Sequence, residues 1–213
     1  DNLPGICTAA FRGTGFRTVD FSDGLEEIEF VGPYGLASLS QLQSVTIPND
    51  VEFYPADTGK GGARTFTGGE LETVTIASPG TTIAVEMFYN CGSLTTINGA
   101  ENITEIGQSA FSGSGLTSFS SESVKKIGQY AFLNNTSLAS LTLGAVEEIG
   151  GGAFGGCSAL KTVDIEGSAG LNIPNTAFGT SGSSTDNAAP IESFKLENGT
   201  PPTFTTKVKS TLK

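Results

Sequence analysis

The sequence predicts an α/β-type repeat solenoid, a coil with a parallel β-sheet on one face and short turns, short strands and at most single helical turns elsewhere. Three stretches carry the prediction. Residues 106–111, 127–132 and 149–154 share the pattern Ile-Gly-x-x-Ala-Phe at periods of 21 and 22 residues. Such periods are typical of stacked repeats, in which each unit is too small to bury its own apolar face and its neighbours complete the core.

The repeats align on one large apolar residue each. These residues are Phe11, Leu36, Phe66, Phe88, Phe111, Phe132, Phe154 and Phe178. One such side chain per turn predicts a stacked column inside the coil. Because each buried Phe contributes roughly 1.5–3 kcal/mol, we expect the column to supply a large share of the stability.

A second apolar pattern, Leu-x-x-Val-x-Ile, follows the aromatic position. Its last two apolar residues are two apart, as in Val45 with Ile47 and Val163 with Ile165. This is the side-chain period of a strand with one buried face. Copies that recur once per repeat, without a hairpin signal between them, predict parallel strands that pair edge to edge.

The length and the repeat boundaries predict a single domain. We expect residues 1–213 to form about eight repeats, with a partial first repeat in 1–10 and a C-terminal cap in 197–213. Two longer intervals, 48–65 and 179–190, interrupt the period and predict loops. The chain begins in mid-repeat, so we expect that upstream sequence has been removed, and an export signal would lie there.

Composition excludes some partners. The formal net charge of −11 predicts repulsion from nucleic acids and anionic membranes. No apolar run approaches the ~18 residues of a membrane span. We therefore expect no nucleic-acid partner and no membrane span, and we expect a monomer.

The repeat unit, Ile-Gly-x-x-Ala-Phe-x-x-Cys-x-x-Leu-x-x-Val-x-Ile, resembles the BspA-like bacterial surface leucine-rich repeats, also called the Treponema pallidum type. The resemblance is clearest from Phe88 to Ile165. It implies a leucine-rich repeat right-handed coil in an exported or surface protein of a family associated with adhesion. The asparagine ladder of ordinary leucine-rich repeats is absent, because its position holds residues such as Asp50, Pro79 and Val146.

The residues offer little catalytic chemistry. The chain has no histidine, which removes histidine-dependent triads, general bases and metal ligands. The three cysteines are an odd number, and Cys91 and Cys157 predict buried packing residues. Glu26–Glu27 and Glu147–Glu148 are interpreted as solvated positions of the repeat rather than as glycosidase carboxylates. We expect a non-catalytic protein without cofactor or metal.

One pattern on the predicted sheet goes beyond packing. The residue two positions after each leading apolar residue of the strand pattern is a Ser or Thr in all eight repeats, although these types make up 48 of 213 residues. The row is Thr18, Ser44, Thr73, Thr96, Ser118, Ser140, Thr162 and Ser193. Two interpretations are open: hydroxyl pairing between strands and β-propensity, which only stabilise the sheet, and a polar platform for a partner.

A second outward row lies beside the first and includes Asp164. Because it contains no aromatic residue, it does not favour a sugar-stacking surface. The leading hypothesis is an exported, non-catalytic module whose sheet face and two long loops bind an unidentified extracellular or cell-surface protein. Lipoprotein anchoring through upstream sequence is one route to the surface. The alternative is a carbohydrate-binding or scaffold component of a surface nutrient-uptake complex.

Overall fold

The computed structural model describes most of the chain. The residues that it describes are 5–6, 10–12, 14–15, 17–20, 30–31, 35–47, 52–53, 64–144, 146–179, 189–200 and 209–212. The predicted loops fall partly outside these ranges, at 48–51, 54–63 and 180–188. Residues 26–27, which carry one of the two acidic pairs, also lie outside them.

The described residues form short strands joined by turns. In chain order the strands are β1 (Gly5–Ile6), β2 (Thr18–Asp20), β3 (Phe30–Val31), β4 (Ser44–Ile47), β5 (Glu52–Phe53), β6 (Thr73–Ile76), β7 (Thr81–Ile83), β8 (Thr96–Asn98), β9 (Ile103–Ile106), β10 (Ser118–Ser121), β11 (Lys126–Ile127), β12 (Ser140–Leu143), β13 (Glu148–Ile149), β14 (Thr162–Ile165), β15 (Ser193–Leu196) and β16 (Lys209–Leu212). Within the described ranges, the helical structure is a single 3₁₀ turn, Ala100–Asn102.

The strands alternate between two sets, which we call the front and back strands. The front strands form two parallel sheets, β2-β4-β6-β8 and β10-β12-β14-β15-β16. The back strands form β1-β3-β5 and β13-β11-β9-β7, also parallel. The parallel repeat solenoid is therefore confirmed. The back strands add to the prediction, because the Ile-Gly segment pairs between repeats as a sheet of its own.

The aromatic column is present. The rings from Phe66 to Phe178 stack one on the next, with centroids 5.2–5.4 Å apart and planes within 18° of parallel. All of these rings are buried, and Leu36 continues the core toward the N-terminal end. At that end Phe11 is half-buried. The inward residues of the front strands β4, β6, β8, β10, β12, β14 and β15 and of the back strands β7, β9, β11 and β13 join the column in one continuous core.

The turns around each ring explain why the repeats stack closely. The backbone N–H of Phe111 donates to the carbonyl of Ala131 at 2.8 Å, and that of Phe132 donates to Ala153 at 2.7 Å. Residues two positions before and after the ring adopt left-handed backbone, as at Tyr130 (φ 59°) and Asn134 (φ 58°). These reversals wrap the chain around the ring and aim its N–H groups at the next repeat.

The glycine after the Ile of the motif has a steric role. A Cβ built on Gly128 would lie 2.6 Å from the backbone nitrogen of Gln108 in the preceding repeat, and one on Gly150 would lie 2.4 Å from that of Gln129. Only glycine therefore lets successive back strands approach to pairing distance. Elsewhere, Gly92 has open space around it.

The front strands are split between β8 and β10, where the sequence pattern is also irregular. Gly99, with φ 74°, takes the position of the last inward apolar residue and leads into the 3₁₀ turn. In the next repeat the buried hydroxyl of Ser121 donates to the carbonyl of Ala100 at 2.9 Å. In β10, a polar contact from Ser121 to the turn thus replaces an apolar contact. In the preceding repeat, β8 ends one residue earlier than the four-residue front strands.

The C-terminal segment adds a strand to the front set. Lys209–Leu212 pairs in parallel with Ser193–Leu196. Between them, Thr200 forms an isolated parallel bridge with Asn172 of the preceding repeat. The end predicted as a cap thus extends the coil by at least one strand.

Candidate interaction surface

The structure brings the predicted hydroxyl row together in two groups of four. Thr18, Ser44, Thr73 and Thr96 pair in register in the first front sheet, and Ser118, Ser140, Thr162 and Ser193 pair in register in the second. Adjacent members are one strand spacing apart, about 4.8 Å. The break between β8 and β10 divides what the sequence predicts as one continuous row.

All eight side chains are half-buried or exposed. The residue that follows each of them is buried in β4, β6, β10, β12, β14 and β15, and half-buried in β8. The pattern is regular in β14, where Thr162 is exposed, Val163 buried, Asp164 half-buried and Ile165 buried. Among the side chains that the structure describes, no hydrogen bond links two neighbouring hydroxyls of the row. The described row therefore lacks the cross-strand hydroxyl pairing of the structural interpretation, while the β-propensity of these residues remains part of it. The side chains of the row are at least partly exposed to solvent.

The centre of this face carries no charge. The second outward row contains Thr46, Thr75 and Asn98 in register in the first front sheet, and Ser120 and Thr142 in register in the second. Asp20 stands at one end of this row and Asp164 at the other. Between these ends, amide and hydroxyl groups are its only polar groups. In a chain with 33 Asp, Glu, Lys and Arg residues (22 acidic and 11 basic), so long an uncharged stretch is a specific feature of the front surface.

Charge appears at the C-terminal end of the face. The Lys195 ammonium contacts Asp164 at 3.2 Å and Glu197 at 2.9 Å. The hydrogen bonds that the ammonium donates to Glu197 and, second, to Asp164 raise the pKa of Lys195 above its ordinary value. Nearby, Lys161 and Glu192 pair at 3.0 Å. These pairs are solvent-exposed, so each contributes little to stability.

The back strands β9, β11 and β13 carry charged side chains, unlike the neutral centre of the front strands. Glu105, Lys126 and Glu148 stand in register on adjacent strands, and Lys126 approaches Glu105 at 3.8 Å. Beside them, Lys125 approaches Glu147 at 3.9 Å. The two faces therefore differ where both are described: β9, β11 and β13 carry an exposed ladder of charges on the back, and the centre of the front is neutral and hydroxyl-rich.

The family is decided by the register of the repeats together with the glycine that follows Ile in the motif, such as Gly128 and Gly150. The model of the BspA type leucine rich repeat region matches residues 61–184 in six copies. The chain belongs to the BspA-type leucine-rich repeat family. No curated protein sequence matches the chain.

Two solved structures resemble this BspA-type chain. A leucine-rich repeat protein from Bacteroides ovatus is 26% identical with a TM-score of 0.60, over 73% of this chain and 39% of that one. The leucine-rich repeat protein of T. pallidum is 20% identical with a TM-score of 0.51, over 84% of this chain and 79% of that one, and shows the fold alone. This chain spans well under half of the Bacteroides protein.

Within the BspA-type repeat, one polar ladder escaped the sequence reasoning. In three repeats, the third residue after the aromatic position donates its side chain to the carbonyl of the aromatic residue in the preceding repeat. Ser114, at the same offset from Phe111, donates to the Asn135 side chain instead. Cys91 Sγ lies 3.2 Å from the Phe66 carbonyl, Asn135 Nδ2 lies 2.7 Å from that of Phe111, and Cys157 Sγ lies 3.3 Å from that of Phe132. An internal ladder therefore exists, at a position other than that of ordinary leucine-rich repeats. The recurrence of Cys and Asn at one offset from the ring was its signal.

The BspA-type core leaves its thiols unreactive. Cys91 and Cys157 are buried and free, as the sequence predicts, and burial raises the pKa of each to about 12. The thiolate is the nucleophilic form, so neither residue is suited to nucleophilic catalysis near neutral pH. Glu147 and Glu148 are exposed on the back face. Within the described ranges, no three His, Cys, Asp or Glu side chains gather in a way that would hold a metal ion.

The last prediction concerns a membrane span. No helix among the described residues has the length and apolar character that crossing a membrane requires.

Proposed function

We propose that this chain is a non-catalytic interaction module of an exported, surface-associated protein, and that it binds a partner protein through the front strands. The family supports the class, because leucine-rich repeat proteins are generally binding or scaffold proteins. The observation that carries the choice of surface is the contrast between the neutral front and the charged back.

The physical argument concerns desolvation. Burying a charge at an interface costs far more than burying a hydroxyl, which can donate and accept hydrogen bonds to a partner's backbone or side chains. The fully buried cores of protein interfaces are accordingly depleted in charged residues. The outward residues of the front strands β6, β8, β10 and β12 meet this condition. Glu105, Lys126 and Glu148 on the back strands do not.

The carbohydrate alternative has weaker support. It depends on tyrosine rings that could stack on a sugar, and two of its candidates, Tyr34 and Tyr54, lie outside the described residues. The third, Tyr89, is half-buried, and the Arg64 guanidinium lies 4.8 Å from its ring centre. One face of that ring is therefore already occupied.

Site-specific crosslinking tests the proposal. A photoreactive amino acid replaces Ser140 on the front strands or, as a matched control, Lys126 on the back strands. Each protein is incubated with intact cells of the source organism and with extracellular proteins of its habitat. The proposal expects a discrete protein adduct at position 140, competed by unmodified protein, and none at 126. Equal labelling at both positions, or adducts to glycan alone, would refute it.

A further inference from the structure

A polar groove opens where the first front strands begin. Its volume is about 370 Å³, and its lining comprises Arg17, Ser40, Gln41, Gln43, Glu70 and Glu72. Every lining side chain is exposed, and none is apolar. The groove adjoins the hydroxyl row, since Arg17, Gln43 and Glu72 immediately precede Thr18, Ser44 and Thr73.

Backbone pairing fixes the spacing of the charged groups. The Gln43 N–H donates to the Arg17 carbonyl at 2.9 Å, and the Glu72 N–H donates to the Gln43 carbonyl at 2.9 Å. Each step is one strand spacing, so the backbones of Arg17 and Glu72 lie about 10 Å apart. A cation thus stands at one end of the groove, two carboxylates stand at the other, and carboxamides lie between them.

These charges do not neutralise one another. Within the described residues, no ion pair joins Arg17 to Glu70 or Glu72. The same strand positions near the C-terminal end behave differently, because Lys161 and Glu192 occupy adjacent strands and pair directly at 3.0 Å. Gln43 separates the opposite charges of the groove by one additional strand.

We infer that this groove binds an extended segment of the partner protein that carries an acidic side chain and, two residues later, a basic one. The inference rests on the proposed function and adds the chemistry of the partner. Residues i and i+2 of an extended chain point to the same side, about 6.8 Å apart. Their side chains span the remaining distance to the two ends of the groove.

Each group then has a partner of matching chemistry. The Arg17 guanidinium takes the ligand carboxylate in a two-pronged hydrogen bond. Glu70 and Glu72 take the ligand ammonium or guanidinium between them. The carboxamides of Gln41 and Gln43 can donate and accept, which suits the peptide backbone between the two side chains. A phosphate ligand is disfavoured by the two carboxylates.

An NMR titration of the ¹⁵N-labelled chain tests the inference. The probe is a blocked pentapeptide of serines with glutamate at its second position and arginine at its fourth. Control peptides replace either charged residue with glutamine, and a neutral trisaccharide is titrated at the same concentrations. We expect saturable shifts of the Gln43 and Glu72 amides with the probe, and at least a fivefold rise in Kd for either control peptide.

Variants complete the test. Arg17→Gln and Glu72→Gln should each raise the Kd of the probe at least fivefold, and Lys161→Gln, at the matched but ion-paired position, should leave it unchanged. The inference is overturned if the control peptides shift the amides as strongly as the probe does, or if Lys161→Gln raises the Kd as much as Arg17→Gln. Tighter binding of the trisaccharide than of the probe, or no shift with any ligand, also overturns it. Failure here with successful crosslinking at position 140 would remove the groove and retain the proposed function.

Discussion

Truncating the centre of the aromatic column should destabilise the fold severely. The Phe132 ring is fully buried, stacks on Phe111 and Phe154 at 5.4 Å each, and meets Phe119 at 5.0 Å with a 51° tilt. Phe132→Ala removes the ring and leaves a cavity between packed neighbours, which costs about 3–5 kcal/mol. For a chain of this length, that loss lowers Tm by about 6–20 °C.

The assay is thermal and urea unfolding followed by circular dichroism. Two controls sharpen it. Phe11→Ala, at the half-buried end of the column, should cost less than half as much. Phe132→Leu keeps most of the buried area and should fall between the parent and the alanine variant, since Leu36 already occupies this position in one repeat. If Phe132→Ala melted with the parent, or no lower than Phe11→Ala, the column would not be the main source of stability.

Three further predictions concern the contacts between repeats. Gly128→Ala should destabilise the chain by about 1–3 kcal/mol in urea unfolding because its Cβ meets backbone, whereas Gly92→Ala, in open space, should be nearly neutral; equal effects would contradict the packing argument. Asn135→Ala removes a buried hydrogen bond and leaves polar partners unsatisfied, so a loss of about 1–3 kcal/mol is expected in the same assay, and a neutral variant would show that the internal ladder contributes nothing. Between pH 9 and 12, the buried thiols of Cys91 and Cys157 stay protonated in the folded chain, whereas the unfolded chain loses those protons. The free energy of unfolding should therefore fall by up to about 1.4 kcal/mol per pH unit per thiol. A double alanine variant with the same dependence of stability on pH as the parent would refute this.

Much of the fold follows from patterns that sequence alone reveals. The aromatic column and the parallel front strands depend on which residues are apolar, and apolar spacing is visible in the chain. The back sheet was harder to predict, because strands such as Lys126–Ile127 are two residues long and carry no alternation. The break between β8 and β10 could not be predicted from the sequence, because it depends on where the 3₁₀ turn after Gly99 lies in the fold. There the turn takes the place of an apolar contact.

Part of the candidate surface could likewise be predicted from the sequence, and part could not. The hydroxyl row of Thr18 to Ser193 was predictable because its members recur at one strand position. The groove was not, since it depends on how far Arg17 and Glu72 stand from each other and on Gln43 standing between them. The side-chain ladder through Asn135 was also missed, because Cys and Asn look unrelated until both are seen to donate to an aromatic residue's carbonyl.

The most direct test of the front surface is an affinity comparison on the protein that crosslinks at position 140. Ser118→Arg combined with Ser140→Arg places two charges in the neutral centre of the face, and Glu105→Gln combined with Glu148→Gln alters the back face by the same number of substitutions. Binding measured by biolayer interferometry should weaken at least a hundredfold for the front variant and stay within twofold for the back variant, with both proteins folded by circular dichroism. Equal Kd values for the front variant and the parent would contradict the assignment of the interaction surface.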